Sequence, residues 1–394
     1  MKVPFTKIAE IQPTITLERG AEYSFISMED VDPKCRDVEP GSNRVWEGGG
    51  GTRFANGDVL FARITPCLEH GKTVLLSGLP SNIGFGSTEF FVFRSRPGIS
   101  DNRYLYYLAC SDILREPAIK SMIGASGRQR AQRKVVENIL INAPSLPTQT
   151  HIADILSAYD DLIENNRRRM RLLEELARQL YREWFVRLRF PGHEHTDIFN
   201  GVPKGWRRVP IPEIIEINPI TRLSDEKEHW YVEMSDLSAN SMVIQNAVRR
   251  DGRSGSKFRN GDTLLARITP CLENGKTGYV NFLANGEVGR GSTEFIVLRS
   301  KCVSPEFVYC LARTYHFREN AIKSMVGSSG RQRVQENCFE EFMVFLPPQL
   351  LLNLFREFTE QVFQQIQVLH SQNQKLRFSR DLLLPRLMSG EITV

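Results

Sequence analysis

Residues 124–130 read GASGRQR, and residues 327–333 read GSSGRQR. Two glycines and small side chains let a backbone come close to a partner. Arg128 with Arg130, or Arg331 with Arg333, then add two guanidiniums beside the amide of Gln129 or Gln332. A guanidinium's planar fork suits phosphate oxygens and the O6/N7 edge of guanine. One such loop reads as a solvated turn; two near-verbatim copies point to nucleic-acid contact. The RITP segments offer a weaker candidate for the same contact, Arg63 with Thr65 and Arg267 with Thr269. There Arg63 has Asp58 and Glu69 as alternative partners.

Other chemistry is excluded one motif at a time. ITPCLEHGKT resembles the end of a phosphate-binding GxxxxGK[ST] loop, but Pro66 and Pro270 stand where its first glycine belongs. Proline lacks the N–H that such a nest of amides needs. The segment therefore reads as a strand running into a tight turn, with Lys72 and Lys276 facing solvent or a phosphate backbone. Cys67 and His70 fail as a metal pair because the second copy has Cys271 with Asn274, so a small buried thiol is the better reading. His193 and His195 sit in a linker without further ligands nearby. Neither a flipped-adenine NPPY motif nor a nuclease or helicase constellation appears, and no catalytic nucleophile or acid–base pair can be named. The chain reads as a recognition protein rather than an enzyme.

These loops sit in a sequence written twice. GDVLFARITPCLEHGKT at 57–73 returns as GDTLLARITPCLENGKT at 261–277, identical at 14 of 17 positions. GSTEFFVFRS at 86–95 returns as GSTEFIVLRS at 291–300, and AIKSMIGASGRQR at 118–130 as AIKSMVGSSGRQR at 321–333. A period near 200 residues is too long for a solenoid and describes a duplicated domain. Between the shared blocks the copies diverge: 31–53 has no recognisable partner in 237–257, and 74–85 differs from 278–290. A constant scaffold with changing loops fits two modules doing one job on two targets. Phosphate contacts carry no sequence information, whereas base-edge contacts do. The divergent residues Asn43, Arg44 and Trp46, and Gln245, Asn246, Arg249 and Arg250, are thus candidates for base reading.

Each copy ends in Leu-Pro and a helical run, from His151 to about Arg187 and from Leu350 to about Leu384. In the first, Ile152, Tyr159, Asn166, Leu173 and Leu180 fall seven apart, as do Leu156, Ile163, Met170, Ala177 and Trp184 four residues on; this is a heptad seam. Phe355, Val362, Leu369, Leu376 and Leu383 form the matching series in the second run. About 36 residues make a rod of roughly 54 Å. Neither run can hide its stripe alone, so pairing with each other, antiparallel, is the economical solution. Within each copy DVLFARI, EFFVFRS and VVENILINA read as strands, and NRYLYYLACSDILREPAIKSM as a helix interrupted at Pro117. The predicted fold class is α+β: two similar mixed domains separated by two long antiparallel coiled-coil helices, with pseudo-twofold symmetry. The expected boundaries are 1–147 and 191–347 for the domains, 148–190 for the central helix and 348–394 for the C-terminal one.

Composition sets the setting. The chain has 394 residues, 51 basic and 46 acidic, for a net charge of +5. That charge is spread evenly, so any nucleic-acid contact must come from local arginine clusters. No apolar run is long enough to span a membrane and no signal core opens the chain. Seven cysteines without CxxC spacing argue against a disulfide framework, and a cytoplasmic location follows.

Leu146-Pro147-Thr148-Gln149 with LIENNRRRMRLLEELARQLYREWF, then Leu346-Pro347-Pro348-Gln349, VPKGWRRVPIPEIIEINP and LLLPRLMSGEI, resemble the specificity subunit of type I restriction–modification systems. The first domain departs from the family by opening at VPFTKIAEI without a preceding PxGW. The resemblance implies two target recognition domains, each reading one half of a bipartite double-stranded DNA site, with the helices as spacer. It implies two methylation subunits that use S-adenosylmethionine to methylate adenine N6, and restriction subunits that use ATP and Mg to cleave; no cofactor is expected in this chain. Two rivals share these features: the recognition portion of a fused restriction–methylation enzyme, and a bivalent protein-binding coiled-coil scaffold.

Overall fold

The computed structural model describes residues 2–38, 41–328 and 330–394. It divides into two units, Met1–Asn165 with Asn373–Val394, and Asn166–Gln372. The first contains β1 (Lys2–Pro4), β2 (Ala9–Ile11), β3 (Glu22–Ile26), β4 (Ser42–Val45), β5 (Thr52–Ala55), β6 (Val59–Ala62), β7 (Thr73–Leu75), β8 (Ile83–Gly86) and β9 (Phe90–Ser95). Helices α1 (Asn102–Cys110), α2 (Asp112–Lys120) and α3 (Arg133–Glu137) follow, then β10 (Leu140–Asn142) and the long α4 (Leu146–Tyr181). Two four-stranded sheets result, in the orders β2-β9-β6-β7 and β4-β3-β8-β5, with β1 paired to β10.

The continuous apolar run in β6 has a physical reason. Successive side chains of a strand point to opposite faces, and both faces of this sheet are covered. Val59, Phe61, Phe91 and Phe93 pack with α1 and α2, while Leu60, Val92 and Phe90 pack with Ile26 and Phe54 of the second sheet. The helical stretch after it breaks at Ser111, not at Pro117, which lies inside α2. The Ser111 backbone turns extended while its amide bonds back to Tyr107 and Leu108, so the interruption comes from capping rather than from proline. VVENILINA is likewise not one strand: its first residues finish α3 and only Leu140–Asn142 pair, with β1.

The second unit repeats this order. After the small hairpin β11 (Ile198–Phe199) and β12 (Val202–Pro203) come β13 (Arg207–Pro210), α5 (Ile211–Ile214), β14 (Ile215–Ile217), β15 (Glu228–Val232), β16 (Val248–Asp251) and β17 (Ser256–Phe258). Then follow β18 (Thr263–Ala266), β19 (Thr277–Tyr279), β20 (Gly289–Gly291), β21 (Phe295–Ser300), α6 (Pro305–Ala312), α7 (Tyr315–Lys323), β22 (Met343–Leu346) and the long α8 (Gln349–Ser389). Its sheets run β14-β21-β18-β19 and β16-β15-β20-β17, the same topology strand for strand.

The first helical run starts earlier than His151, and the second ends later than Leu384. Helix α4 starts at Leu146, with Pro147 in its first turn where a missing N–H is harmless. It continues past Tyr181 as a π-helical turn, Arg182–Val186. Helix α8 accommodates Pro385 and ends at Ser389. In each unit the two stretches lie antiparallel along the seam. In the first, Asn373 Nδ2 donates to the Ile163 carbonyl at 3.1 Å and Arg380 pairs with Asp160. In the second, Tyr181 and Trp184 pack edge-on and tilted against Phe355. Buried polar bonds fix each domain to its helix: Tyr107 Oη donates to Asp160 at 2.6 Å, and Glu174 accepts from Tyr309 Oη at 2.6 Å and from the Met242 amide at 2.7 Å. No helix among the described residues is long and apolar enough to cross a membrane.

Candidate nucleic-acid interface

The two motifs singled out by arginine meet in each domain. In the first, Ile123 and Arg130 exchange backbone hydrogen bonds at 3.1 and 2.9 Å, closing 124–129 into a protruding loop. Thr65 N donates to the Gln129 carbonyl and Ala131 N to the Arg63 carbonyl, at 2.9 and 2.8 Å, so the RITP segment lies alongside. The second domain repeats each bond: Val326 with Arg333, Thr269 to Gln332, Val334 to Arg267. Gly124 has φ 131° and Gly327 φ 137°, in a region that L side chains avoid, and a Cβ there would also crowd the carbonyl of Arg128 or Arg331. Ser329 lies outside the described residues.

The four loop arginines divide into two roles. Arg130 grips Glu89 through Nε and Nη2, the shortest contact 2.6 Å, and Arg333 grips Glu294 identically. These bonds reinforce the charge on both guanidiniums, and Arg333 holds the Glu294 carboxyl below its usual range. Arg130 and Arg333 therefore fasten the loop base rather than standing free for a ligand. Arg128 and Arg331 are exposed, and their side chains make no ion pair with the described residues. The sequence reading missed Glu89 and Glu294, although the verbatim GSTEF repeat was their signal.

Arg63 pairs with neither Asp58 nor Glu69. It lies 4.0 Å from Glu89 and stacks over Phe91, because Asp58 is already bonded twice by Arg94 at 2.7 Å. Arg267 reaches Glu336 at 3.2 Å instead. Lys72 and Lys276 are half-buried: their ammonium groups donate to the carbonyls of Met28 and Met234, at 2.7 and 2.9 Å, and tie down the segment after β3 or β15. The ITPCLEHGKT backbone coils on itself, His70 N to Pro66 O and Lys72 N to Cys67 O. The amides of Leu68, His70, Gly71 and Lys72 all bond to carbonyls within the segment rather than converging on an anion site. Cys67 and Cys271 are half-buried free thiols rather than fully buried ones.

The divergent segments, which show no sequence match, occupy one structural position. In both domains they supply the edge strand of the second sheet, β4 and β16, exposed at every residue. Arg44 lies opposite Tyr23 and its guanidinium sits 3.7 Å over the Phe25 ring. Arg250 lies opposite His229 and sits 5.1 Å over Tyr231. Phe25 pairs in parallel with Phe85, and Tyr231 with Arg290. The registers thus superpose Asn43 and Arg44 on Arg249 and Arg250. Gln245 and Asn246 are exposed just before β16.

Trp46 is not a base-reading residue. It is 4% exposed, packs edge-on against Phe85 and belongs to a hydrophobic cluster with Leu17 and Tyr23 that anchors the end of β4. The second domain anchors its strand with a guanidinium: Arg290, in the place of Phe85, donates to the carbonyls of Arg250, Asp251 and Ser254. A nearly repeated loop and a divergent exposed edge, both carrying arginine, make each domain suited to grip a polyanion and to sample its features.

Comparison with known proteins agrees with this geometry. Residues 17–175 match the family described as the type I restriction modification DNA specificity domain. The type I restriction enzyme MjaIX specificity subunit of Methanocaldococcus jannaschii is 24% identical, covering 99% of this chain and 90% of that protein. The EcoAI specificity subunit of Escherichia coli is 36% identical over 150 residues, 37% of this chain and 26% of its own. The crystal structure of the type I restriction–modification S subunit from M. genitalium shares the fold, with a TM-score of 0.52 at 15% identity, covering 98% of this chain and 96% of that one. The family match falls on the first domain, and the second repeats its motifs and topology. Residues 17–175 thus match the type I restriction modification DNA specificity domain, and along its whole length the chain is similar to specificity subunits of type I restriction–modification systems.

Proposed function

We propose that each domain reads one half of a bipartite double-stranded DNA site, with base reading on the exposed edge strands β4 and β16 and backbone contact on the Arg128 and Arg331 loops. The observation that carries this is the placement of the divergent residues Asn43, Arg44, Arg249 and Arg250 at one position on an otherwise repeated scaffold. A repeated scaffold supplies the same grip twice, and only what differs between copies can distinguish two base sequences. In this reading the chain works in the cytoplasm and catalyses nothing itself. Two methylation subunits bring S-adenosylmethionine to adenine N6, and restriction subunits bring ATP and Mg; this chain holds none of these cofactors.

Methylome sequencing of a host carrying the chain and its partner subunits tests this directly. A two-part adenine motif is expected, and Asn43→Ala with Arg44→Ala should change the bases of one half while leaving the other intact. The purified chain alone should neither transfer methyl groups nor hydrolyse ATP; turnover by it would overturn the non-catalytic reading.

Backbone grip has a separate signature. Removing one cation that binds a phosphate should flatten the dependence of log affinity on log salt by about one unit. Arg128→Ala and Arg331→Ala should each do so on a random duplex with thermal unfolding unchanged. Arg130→Ala should instead loosen the loop by stranding Glu89. Equal salt slopes for wild type and both alanine variants would remove these loops from the interface.

A further inference from the structure

The two reading edges are matched in position but not in how their cations are held. In the second domain Arg249 donates to Glu287 at 2.6 Å and lies 3.6 Å from Glu226, and Arg250 meets Glu233 at 2.6 Å. In the first domain Arg44 makes no ion pair among the described residues, and its guanidinium rests on Phe25.

The difference traces to two positions. Glu233 directly follows β15, and its amide donates to Asp236 Oδ2 at 2.6 Å; Ser27 directly follows β3, and its amide donates to Asp30 Oδ2 at 2.6 Å. Ser27 therefore stands where the second domain has Glu233. Glu287 precedes Arg290 by three residues, and Asn82 precedes Phe85, the equivalent of Arg290, by three. The two carboxylates in 2.6 Å contact with arginines on the second edge, Glu233 and Glu287, are thus replaced by neutral side chains on the first.

We infer that Glu233 and Glu287 are specificity-determining residues of the second domain, a carboxylate latch that keeps Arg250 and Arg249 from binding DNA of arbitrary sequence. This rests on the DNA-reading function proposed above. A phosphate approaching β16 meets cations already neutralised and carboxylates that repel it. Only a duplex presenting an acceptor pair to both guanidiniums, such as a guanine edge, replaces the broken ion pairs with bonds of like quality. The carboxylates thus act against the wrong partner more than for the right one. The first domain, with Arg44 unlatched, supplies more of the sequence-independent affinity.

The test uses the full chain and a 30-bp random-sequence duplex, with anisotropy titrations across a salt series. Glu233→Gln with Glu287→Gln keeps the side-chain shapes, frees Arg250 and removes the 2.6 Å bond of Arg249, which keeps only Glu226 at 3.6 Å. It should tighten binding roughly tenfold at low salt and steepen the salt slope by about two units, one for each further phosphate bound. Glu213→Gln with Glu216→Gln adds the same charge to the same domain at exposed carboxylates away from β16, and should leave the slope unchanged. The reciprocal variant Ser27→Glu, which latches Arg44, should flatten the slope by about one unit. In the methylation map, the double glutamine variant should relax the half-site read by the second domain only. If wild type binds with a salt dependence and the double variant matches it, or matches the Glu213/Glu216 control, the latch is wrong while DNA reading stands. If no chain binds the duplex, DNA reading fails and the latch falls with it.

Discussion

Asp262→Ala should cost about 3–5 kcal/mol of stability, the loss typical of a buried ion pair stripped of one partner. Asp262 is 1% exposed and accepts from Arg299 Nε at 2.8 Å, Arg299 Nη2 at 2.7 Å and the Arg259 amide at 2.8 Å. Arg299 is itself buried, so alanine would leave a guanidinium with almost no water to solvate it. At about 2–4 °C per kcal/mol for a unit of this size, the melting transition of the second unit should fall by roughly 10 °C. The equivalent Asp58→Ala should cost less, because Arg94 keeps a 32% exposed side chain that water can reach. Calorimetry of the two single variants decides the matter: equal, small shifts would mean that these pairs do not anchor the strands after the GD repeat. Replacing both partners of the Asp262–Arg299 pair by apolar residues of similar volume should recover much of the loss, since no charge is then stranded.

A seven-residue insertion between Asn166 and Leu173 should lengthen the spacer of the recognised site by about three base-pair steps of 3.4 Å, because seven helical residues add about 10 Å. The proposed bipartite reading makes helix length, and neither domain, the quantity that sets the gap. For two readers facing one side of the duplex, the half-site spacing starts near one turn, roughly 34–36 Å. A full heptad returns the seam of Met170, Leu173, Ala177 and Leu180 to its original face. The site lies where α4 passes from the first unit to the second, so neither domain core is cut. Methylation mapping should find both half-sites unchanged and the gap longer. An unchanged gap, or altered bases in either half, would show that the helices do not measure DNA.

Much of the fold was legible because its signals are local or repeated. Heptad spacing needs only one helix to be read, and α4 and α8 appear where it places them, Ile152, Leu156, Ile163 and Ala177 buried in the seam. The strands DVLFARI and EFFVFRS are β6 and β9 because an apolar run buried on two faces has no other economical form. The misplaced helix break shows the limit: Pro117 fits within the first turns of a helix that Ser111 starts, and proline type alone does not reveal where a chain will cap.

The sequence by itself determined the duplication, the helical seam, the resemblance to specificity subunits and the two arginine loops, all readable from residue type and spacing along the chain. Only the tertiary structure decided which of those arginines stand free. Glu89 is 41 residues from Arg130, and Glu294 is 39 from Arg333; an ion pair between residues so distant leaves no trace in local spacing. It also decided that Trp46 belongs to a core cluster, that Lys72 and Lys276 bind backbone carbonyls, and that Asn43-Arg44 and Arg249-Arg250 are the same two positions. Exposed edge strands have no core to constrain their side chains, so the two diverged until only the pairing register of β3 with β4, and of β15 with β16, keeps a record of their equivalence.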